Sequence, residues 1–296
     1  MLSALLLIRT VMLIVTWPCG TILNSSIIAV YLSDWKKGVK LGECDQISVS
    51  MGCTNLLLQC FITLGVAFLS YGLHLPFAGQ VSAAIGAVFW FSIYLSFWLT
   101  AGLSVCYCLR LVNPLPKYFI QLKRRLSRIV TPLLLWSVAI SFIMSVPMYG
   151  IVGMATDQNT TTNYYSMISN VIDVYKIFGG AFGIGLPTLI TSVCILLSLI
   201  SLLRHIRRMK QKPQFGSPQL KNLIGACRTM FLLMALNSFS FLIIFSSVLS
   251  PFNVETIWET VVFSCFMLNP SCEAIVLISG NSKLLRTWLK SLAPQR

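Results

Sequence analysis

Charged residues are scarce in this chain of 296 residues, because Asp, Glu, Lys and Arg together supply only 10% of it. A soluble domain usually carries about a quarter of its residues in charged form. Hydrophobic residues instead make up 56% of the chain. This balance excludes an ordinary soluble domain and predicts a polytopic membrane protein.

Acidic residues are the scarcest of the charged types. The chain has 8 Asp and Glu against 22 Lys and Arg, which gives a formal net charge of +14. A strongly basic chain can indicate a nucleic-acid partner, but only where the basic residues lie on the face of a folded soluble domain. Here they lie between long apolar runs. We therefore predict no nucleic-acid partner, and the topology of a membrane protein explains the charge better.

Residues that perform catalysis or hold metals are also few. The chain has only two histidines, His74 and His205, and no HExxH, GxSxG, Walker or GxGxxG pattern. Its ten cysteines form no CxxC pair and no Cys/His cluster with the spacing of metal ligands. The sequence therefore predicts no enzyme activity, no cofactor and no metal site.

Seven apolar runs, separated by charged or turn-forming breaks, are each long enough to cross a bilayer as a helix. The first run is too long for a cleaved signal peptide and has no clear small-residue cleavage site, so we expect it to be retained. The predicted fold is an all-α membrane protein, a seven-transmembrane helix bundle that forms one domain over residues 1–296. The predicted spans are approximately residues 4–32, 46–72, 82–112, 129–152, 174–203, 226–250 and 257–279.

Lysine and arginine residues collect in alternate connections between these spans. The connections after spans one, three and five are basic, as is the tail, whereas the other connections contain only Lys176. Cytoplasmic loops carry the excess of Lys and Arg in membrane proteins. The N-terminus is therefore predicted to lie outside and the C-terminus in the cytoplasm. The expected location of the protein is the plasma membrane.

This topology has two consequences for covalent modification. The sequon at Asn159 falls in the second predicted outside loop, where its glycosylation is expected. The cysteines all fall within predicted spans or on the predicted cytoplasmic side. Thiols in lipid or in the reducing cytosol stay free, so no disulfide is predicted.

The third span is predicted to be the central helix. A helix of about thirty residues is about 45 Å long, more than the ~30 Å hydrocarbon thickness of a bilayer. Hydroxyl residues recur along this span, and lipid tolerates them only where protein or water receives their hydroxyl groups. We therefore expect other helices to surround it. The hydroxyl residues are Ser92, Ser96, Thr100 and Ser104.

Asparagines and one glutamate lie inside the predicted spans. Glu273 is the costliest of them, because a charged residue at the centre of a membrane helix costs about 2.5 to 3.5 kcal/mol. One interpretation is a switch or ion site that Glu273 shares with Asn24 and Asn55. The other is a neutral acid hydrogen-bonded between helices. The sequence does not choose between them.

Aromatic and apolar residues are concentrated in the outer halves of the third and last spans. Such side chains, with one acid at the mouth of a helix bundle, suit small amphiphilic ligands. The alternative is a stripe that packs against lipid or against other helices, and both remain open. The residues concerned are Phe89, Trp90, Ile93 and Phe97 in the third span, and Glu259 and Phe263 in the last.

Basic runs on the predicted cytoplasmic side could contact a cytosolic partner or anionic membrane lipids. They include Lys123 to Arg125, and Arg204, Arg208 and their neighbours after the fifth span. Topology alone explains most of these charges.

Four patches of sequence carry a family resemblance, in order along nearly the whole chain. The last patch is the most specific: it reads Pro270-Ser271-Cys272, then Leu277-Ile278, Gly280-Asn281 and Lys283-Leu284. The other patches are Gly20 to Asn24 with Asp34-Trp35 and Asp45-Gln46-Ile47; Trp98, Leu103, Tyr107, Leu109, Arg110 and Asn113; and Pro187, Ser201-Leu202, Arg204-His205 and Arg208-Met209. These motifs resemble those of the type 2, or bitter, taste receptors, a family of G-protein-coupled receptors.

The resemblance implies a receptor that binds small bitter or aversive molecules in an outer cavity and activates gustducin or a related inhibitory-class heterotrimeric G protein. The implied ligand contacts are Phe89, Trp90, Ile93, Phe97, Phe182, Met234, Asn237, Glu259 and Phe263. The implied inner polar switch comprises Asn24, Asn55, Tyr107, Arg110, Pro270 and Glu273. The implied G-protein contacts are Arg110, Lys123, Arg125, Arg204, His205 and Arg208.

The chain departs from this family at both kinds of site. Asn55 stands where the family usually has Arg, and Glu273 where it usually has His, so the inner polar residues are expected to pair differently. Ile93 stands for a common Asn and Phe263 for a residue that is often polar. The pocket is therefore expected to be more apolar than usual and to take apolar or weakly cationic agonists.

Two alternative functions remain. A small transporter or channel subunit would be favoured by internal inverted repeats or by several acids within the membrane, and the sequence has neither. A pheromone-type chemosensory receptor related to the same family would differ from a taste receptor only in its ligands.

Overall fold

The structure is a computed structural model that describes residues 2–70, 78–111, 126–155, 174–175, 177–209, 218–249 and 257–292. Every regular element within these residues is helical. A π-helix at Gly179–Gly185 leads directly into α5. The α-helices are α1 (Leu2–Lys36), α2 (Glu43–Ser70), α3 (Ala78–Leu111), α4 (Leu126–Ala155), α5 (Leu186–Met209), α6 (Pro218–Leu249), α7 (Ile257–Gly280) and α8 (Ser282–Leu292).

Seven of these helical segments are long and apolar enough to cross a membrane. They correspond one to one with the seven predicted spans, so the predicted seven-helix bundle is confirmed. Which end faces the cell exterior is not fixed by the helices themselves. The segments are Leu7–Lys36, Glu43–Gly65, Gln80–Arg110, Arg128–Pro147, Gly179–Arg204, Ile224–Ile243 and Thr260–Gly280.

Helix α3 lies at the centre of the bundle, where it packs against α2, α4, α5 and α6. The four hydroxyl residues at a spacing of four are all buried, with exposed fractions of 0% to 4%. The predicted central position of this helix is thus confirmed, because its polar side chains are covered by protein on the face that carries them. We name the two ends of α3, and of the bundle around it, the Phe89 end and the Arg110 end.

Helix α1 approaches α2 and α7 closely at Gly20. A Cβ atom at this position would lie 2.7 Å from Nε2 of Gln59 and 2.8 Å from Oγ of Ser271, which leaves no room for a side chain. Gln59 uses the same close approach to donate hydrogen bonds of 2.9 Å to the backbone carbonyls of Thr16 and Trp17. The glycine therefore lets a polar side chain of α2 reach the backbone of α1.

The π-helix before α5 packs closely against the ring of Tyr94 on α3. A Cβ atom on Gly183 would lie 2.5 Å from Cδ1 of Tyr94, and one on Gly179 would lie 2.7 Å from its hydroxyl oxygen. Pro187 follows at the second position of α5 and has no backbone N–H to donate to the preceding turn. The close approach to Tyr94 and the missing N–H of Pro187 both favour a π-helical turn here, which is wider than an α-helical turn.

Helix α8 was not predicted from the sequence, which placed this tail in the cytoplasm without assigning it a structure. Asn281 starts the helix, because its Oδ1 accepts a hydrogen bond from the backbone N–H of Lys283 at 3.0 Å. Its Nδ2 donates to the hydroxyl of Tyr31 on α1 at 2.7 Å. Leu284 is buried, and Nε1 of Trp288 donates to Oγ of Ser26 at 2.9 Å. Helix α8 is therefore docked on α1.

Candidate functional site

An apolar cluster occupies the Phe89 end of the bundle, which we call the aromatic cluster. Its buried members come from α2, α3, α4, α7 and the π-helix, and partly buried aromatic side chains pack against them. The buried members are Leu58, Ile62, Ile93, Tyr94, Phe97, Met144, Ile184 and Met267, and the partly buried ones are Phe89, Trp90, Ile140, Phe241, Phe263 and Phe266. Five of the predicted ligand contacts thus belong to one cluster.

Aromatic rings contact one another within α3, and one edge-to-face pair links α3 to α7. The ring centroids of Phe89 on α3 and Phe266 on α7 lie 5.5 Å apart at 74°. Trp90 contacts Phe89 at 5.8 Å and Tyr94 at 5.7 Å. These geometries lie in the range that aromatic pairs prefer. Tyr94 and Phe266 were missed, although each lies one turn from a predicted contact, at Trp90 and Phe263.

The other predicted ligand contacts lie elsewhere. Phe182 is 46% exposed and packs on Phe178, with centroids 4.5 Å apart. Met234 belongs to a separate apolar cluster between α3, α5 and α6, where its Sδ lies 3.6 Å from Oγ of Ser192. Asn237 is buried, and the side chain of Glu259 lies outside the described residues. The structure therefore gathers the predicted α3 contacts and Phe263 of α7, but not Phe182 of the π-helix or the residues predicted on α6.

A carboxyl group with no exposure to solvent lies in the middle of the bundle. Glu273 on α7 is 0% exposed. Ser96 of α3 donates its hydroxyl to this carboxyl, at 3.0 Å from Oε1 and 3.2 Å from Oε2. Asn269, one turn earlier on α7, donates Nδ2 to Oε1 at 3.2 Å, while its Oδ1 accepts from Ser240 of α6 at 3.1 Å. This acid thus links α3, α6 and α7.

The asparagines of α1 and α2 extend this network. Nδ2 of Asn24 donates to the backbone carbonyls of Gly20 at 2.9 Å and Pro270 at 3.2 Å. Nδ2 of Asn55 donates to Oδ1 of Asn24 at 3.2 Å, and the Asn55 side chain also reaches the Glu273 carboxyl. We call Asn24, Asn55, Ser96, Ser240, Asn269, Pro270 and Glu273 the polar layer. It contains four of the six residues predicted to form the inner switch.

The remaining two predicted switch residues lie nearer the Arg110 end and outside the polar layer. Arg110 forms an ion pair with Glu43 of α2, and about half of its side chain is exposed. Tyr107 is partly buried, between the main apolar core and the cluster that contains Met234. The predicted switch is therefore divided between two depths of the bundle, and Ser96, Ser240 and Asn269 complete the deeper part.

Exposed basic side chains occupy the Arg110 end. Arg110 itself and Arg204 at the end of α5 are exposed. Lys283 of α8 pairs with Asp34 of α1 at the same end. Lys123, Arg125 and Asn159 lie outside the described residues, as do the side chains of His205 and Arg208. The predicted G-protein surface can be located here only through Arg110 and Arg204.

The fold and this division of side chains define a class of protein. A bundle of seven membrane-length helices, with an aromatic cluster at one end, a buried polar layer and exposed arginines at the other, is the architecture of a G-protein-coupled receptor. The chain belongs to the type 2 taste receptor family, because the family model described as Taste receptor protein (TAS2R) matches residues 1–296. The predicted family is therefore confirmed.

Individual relatives agree with the family match. Taste receptor type 2 member 9 of Homo sapiens is 28% identical over 285 residues, which cover 91% of this chain and 88% of the relative. Taste receptor type 2 member 39 of Macaca mulatta is 26% identical over 294 residues, covering 96% and 86%. Taste receptor type 2 member 40 of Gallus gallus is 28% identical over 286 residues, covering 92% and 90%. The chain is thus a multi-pass membrane protein of a bitter receptor family and not an enzyme.

Proposed function

We propose that this receptor binds small apolar or weakly cationic bitter compounds at the Phe89 end and passes the signal to a G protein at the Arg110 end. The aromatic cluster is the observation that carries this proposal. It offers aromatic and aliphatic side chains from α3 and α7 at one end of a helix bundle, the composition that small-molecule sites favour. The rings of Trp90 and Phe89 would also suit a cationic ligand group.

The aromatic cluster continues into the polar layer along two helices. On α3, Ser96 lies between the cluster members Ile93 and Phe97. On α7, Met267 comes two residues before Asn269, which bonds to Glu273. A ligand that shifts α3 against α7 must therefore alter the hydrogen bonds to Glu273. This supports a mechanism in which agonists select one of two bundle arrangements by their different affinity for each.

The Arg110 end is proposed to face the cytoplasm, with the N-terminus outside. The supporting observation is the concentration of Lys and Arg at this end, in agreement with the positive-inside rule. Epitope tags at the two termini test it: the N-terminal tag should be accessible to antibody on intact cells and the C-terminal tag only after permeabilisation. Replacing Asn159 by Gln should then increase gel mobility, as expected for loss of a glycan on an outside loop.

The intracellular partner is proposed to be gustducin or another inhibitory-class G protein. Arg110 and Arg204 would contribute positive charge to this contact, together with Lys123, Arg125, His205 and Arg208 of the same predicted surface. Agonist-stimulated nucleotide exchange in membranes supplied with a gustducin or a stimulatory-class α subunit tests the choice. Exchange only on the stimulatory subunit would contradict it.

Agonist binding is tested by calcium imaging in cells that express the full chain with a promiscuous G-protein chimera, against a panel of bitter compounds. Trp90→Ala and Phe263→Ala are each expected to raise the half-maximal agonist concentration by about tenfold or more, which is roughly 1.4 kcal/mol. Trp136→Ala and Phe142→Ala are matched controls, because these α4 side chains are 66% and 60% exposed. Equal losses in variants and controls, at equal surface expression, would contradict a site in the aromatic cluster.

A further inference from the structure

Five sulfur-containing side chains meet between α3, α5 and α6, and we call them the sulfur cluster. The three helices contact one another pairwise. Cys108 of α3, Cys194 of α5 and Met230 of α6 are buried in one apolar cluster, and Met234 of α6 packs against it. Cys227 of α6 is also buried and lies close enough to Cys108 for a charge on one to affect the other. Three of the five members thus come from successive turns of α6.

Two thiol groups approach each other in this cluster. The side chains of Cys108 and Cys194 lie within hydrogen-bonding reach of each other, and both are free thiols. Their exposed fractions are 2% and 9%, so protein covers the contact. A thiol is a weak donor and a weak acceptor, and such a contact by itself contributes little to stability. Two thiols held this close do, however, provide two ligands for a metal ion that prefers sulfur.

The thioether of Met230 supplies a third sulfur atom. Met230 is 1% exposed and belongs to the same buried cluster as both thiols. Met234, one turn further along α6, already has a polar neighbour, because Oγ of Ser192 lies 3.6 Å from its Sδ. Apolar side chains such as Ile190 and Ile195 surround these sulfur atoms. An ion bound here must therefore have its charge cancelled by its own ligands.

The types of ligand in the sulfur cluster select among metal ions. Soft thiolate and thioether ligands favour Cu(I), whereas carboxylate and carbonyl oxygens suit Mg²⁺ and Ca²⁺. Structural zinc sites take four Cys, His or carboxylate ligands. The described residues contain no group of three or more His, Cys, Asp or Glu side chains arranged to hold a metal ion. Two thiols and a thioether therefore fit a soft monovalent ion better than a divalent one.

We propose that the sulfur cluster binds one Cu(I) ion between α3, α5 and α6. The ligands are Sγ of Cys108, Sγ of Cys194 and Sδ of Met230. On binding, the S–H bond of one cysteine is replaced by a sulfur–copper bond, and the proton leaves to water. The copper stays Cu(I) throughout, and the thiolate charge cancels the charge of the ion. Spacing along the chain gives no sign of this site, because its ligands come from three helices.

The position of the sulfur cluster indicates how copper would reach it. Cys108 comes two residues before Arg110, so the site is entered from the Arg110 end, which is proposed to face the reducing cytoplasm. A bound ion would hold α3, α5 and α6 together at this depth. The proposal goes beyond agonist recognition and does not depend on it, since the sulfur cluster and the aromatic cluster share no residue.

The test is competition for Cu(I) between the purified full-length receptor and the coloured chelator bicinchoninate. Oxygen-free buffer with ascorbate keeps the copper as Cu(I) and prevents oxidation of the thiols. We expect the receptor to withdraw one equivalent of copper from the chelator. Cys108→Ala and Cys194→Ala should each weaken this uptake about a hundredfold, because loss of even an outer partner of a metal ligand costs about 10- to 100-fold. Met230→Leu removes the weaker thioether ligand and should weaken uptake about tenfold.

Cys106→Ala is the matched control for Cys108→Ala. Cys106 also lies on α3 and is 1% exposed, but it belongs to the main apolar core and not to the sulfur cluster. This variant removes the same atoms from the same helix and should retain the full uptake. If Cys108→Ala does not fold, Met230→Leu still decides the question, because it nearly conserves the volume of the side chain.

Two results would overturn the proposal. One is an unaltered receptor that withdraws no copper from bicinchoninate. The other is equal uptake by Cys106→Ala and Cys108→Ala, which is the outcome for adventitious binding by thiols scattered over the chain. Neither result bears on the agonist site, because the measurement uses no agonist and no G protein.

Discussion

The aromatic cluster and the polar layer are adjacent in the bundle but are stabilised by different forces. The rings of Phe89, Trp90 and Phe266 meet through dispersion and weak quadrupole contacts, whose energies change gradually with geometry. Asn24 and Asn55 instead meet through single hydrogen bonds of defined length and direction. Packing of the first kind adapts to ligands of varied shape. Directional bonds of the second kind favour a few discrete arrangements, as a switch requires.

This difference suggests a division of labour within one receptor. The aromatic cluster can tolerate variation in its ligands, because no single contact there decides the geometry. In the polar layer, every bond that breaks leaves a buried group without a partner, which costs about 1 to 3 kcal/mol for each group. Substitutions in the polar layer should therefore cost more stability than substitutions in the aromatic cluster.

The largest effect is expected from Asn24→Leu in the polar layer. The substitution removes the donor to the carbonyl of Pro270 and leaves Nδ2 of Asn55 without its acceptor. With two buried groups unpaired, we expect a loss of about 3 kcal/mol in the free energy of unfolding. The thermal midpoint and the surface expression of the full-length receptor should both fall.

Ser25→Ala is the control for this prediction. Ser25 is the next residue on α1 and its side chain is exposed, so its replacement should change neither quantity. An Asn24→Leu receptor as stable as this control would show that the polar layer has no greater sensitivity than the lipid-facing surface.

A smaller effect is expected where the π-helix packs against Tyr94 of the aromatic cluster. A Cβ atom on Gly183 would lie 2.5 Å from Cδ1 of Tyr94, so Gly183→Ala must displace the ring at a cost of about 1 to 3 kcal/mol. Gly180→Ala is the control, because nothing lies within 4 Å of the position of its Cβ. Thermal midpoints of the two variants supply the comparison.

A second substitution should rescue this variant if the contact is one of shape alone. Tyr94→Leu combined with Gly183→Ala should recover most of the lost stability, giving a favourable coupling between the two sites. No comparable rescue is expected for Asn24→Leu, since no apolar side chain can replace its hydrogen bonds. Additive losses in the Tyr94 and Gly183 pair would contradict the contrast drawn between the two regions.

The helices and part of the polar layer could be predicted from the sequence. Apolar length fixes a membrane helix, and the hydroxyl groups of Ser96 and Thr100 mark α3 as central because lipid cannot satisfy them. One of the two interpretations of Glu273 placed it in a site shared with Asn24 and Asn55, since polar residues of this kind are costly in lipid. The structure brings these three side chains into one hydrogen-bond network, which also includes Ser96, Ser240 and Asn269.

The remaining positions depend on helix rotation, which the sequence does not determine. A helix that is apolar on every side has no pattern that fixes its orientation. Phe182 and Met234 lie on such helices, and the structure places them away from the aromatic cluster. The π-helix packs against the ring of Tyr94, which belongs to another helix, and α8 is held by contacts to Tyr31 and Ser26. These are tertiary contacts that no local pattern contains.

At the Arg110 end, the ion pair between Arg110 and Glu43 offers a smaller effect with a functional readout. Glu43→Gln releases Arg110, and because this pair is partly exposed its loss should cost at most about 1 kcal/mol. If the pair favours the resting arrangement, basal signalling should rise by up to about fivefold. Basal nucleotide exchange in membranes, normalised to surface expression, measures it.

Asp34→Asn is the control for this ion pair. It breaks a second partly exposed ion pair, to Lys283, which joins α1 to α8 and does not involve α3. Basal signalling should therefore stay unchanged. Equal rises in both variants would point to a general loosening of the Arg110 end, and no rise in either would show that Arg110 is not restrained by Glu43.

The smallest effect is expected where a directional bond lies partly exposed. Trp288→Phe keeps an aromatic ring on α8 but removes the Nε1 donor to Ser26, and water near this end can replace that bond. The expected loss is about 0.5 to 1 kcal/mol, several times less than for Asn24→Leu, although both variants remove side-chain hydrogen bonds. A double-mutant cycle with Ser26→Ala, read from thermal midpoints, isolates the bond from the packing of the ring. If the coupling energy between Trp288 and Ser26 is as large as the loss expected for Asn24→Leu, the direction of the hydrogen bonds alone makes the polar layer sensitive to substitution. A coupling energy below about 1 kcal/mol would show that this sensitivity comes from burial.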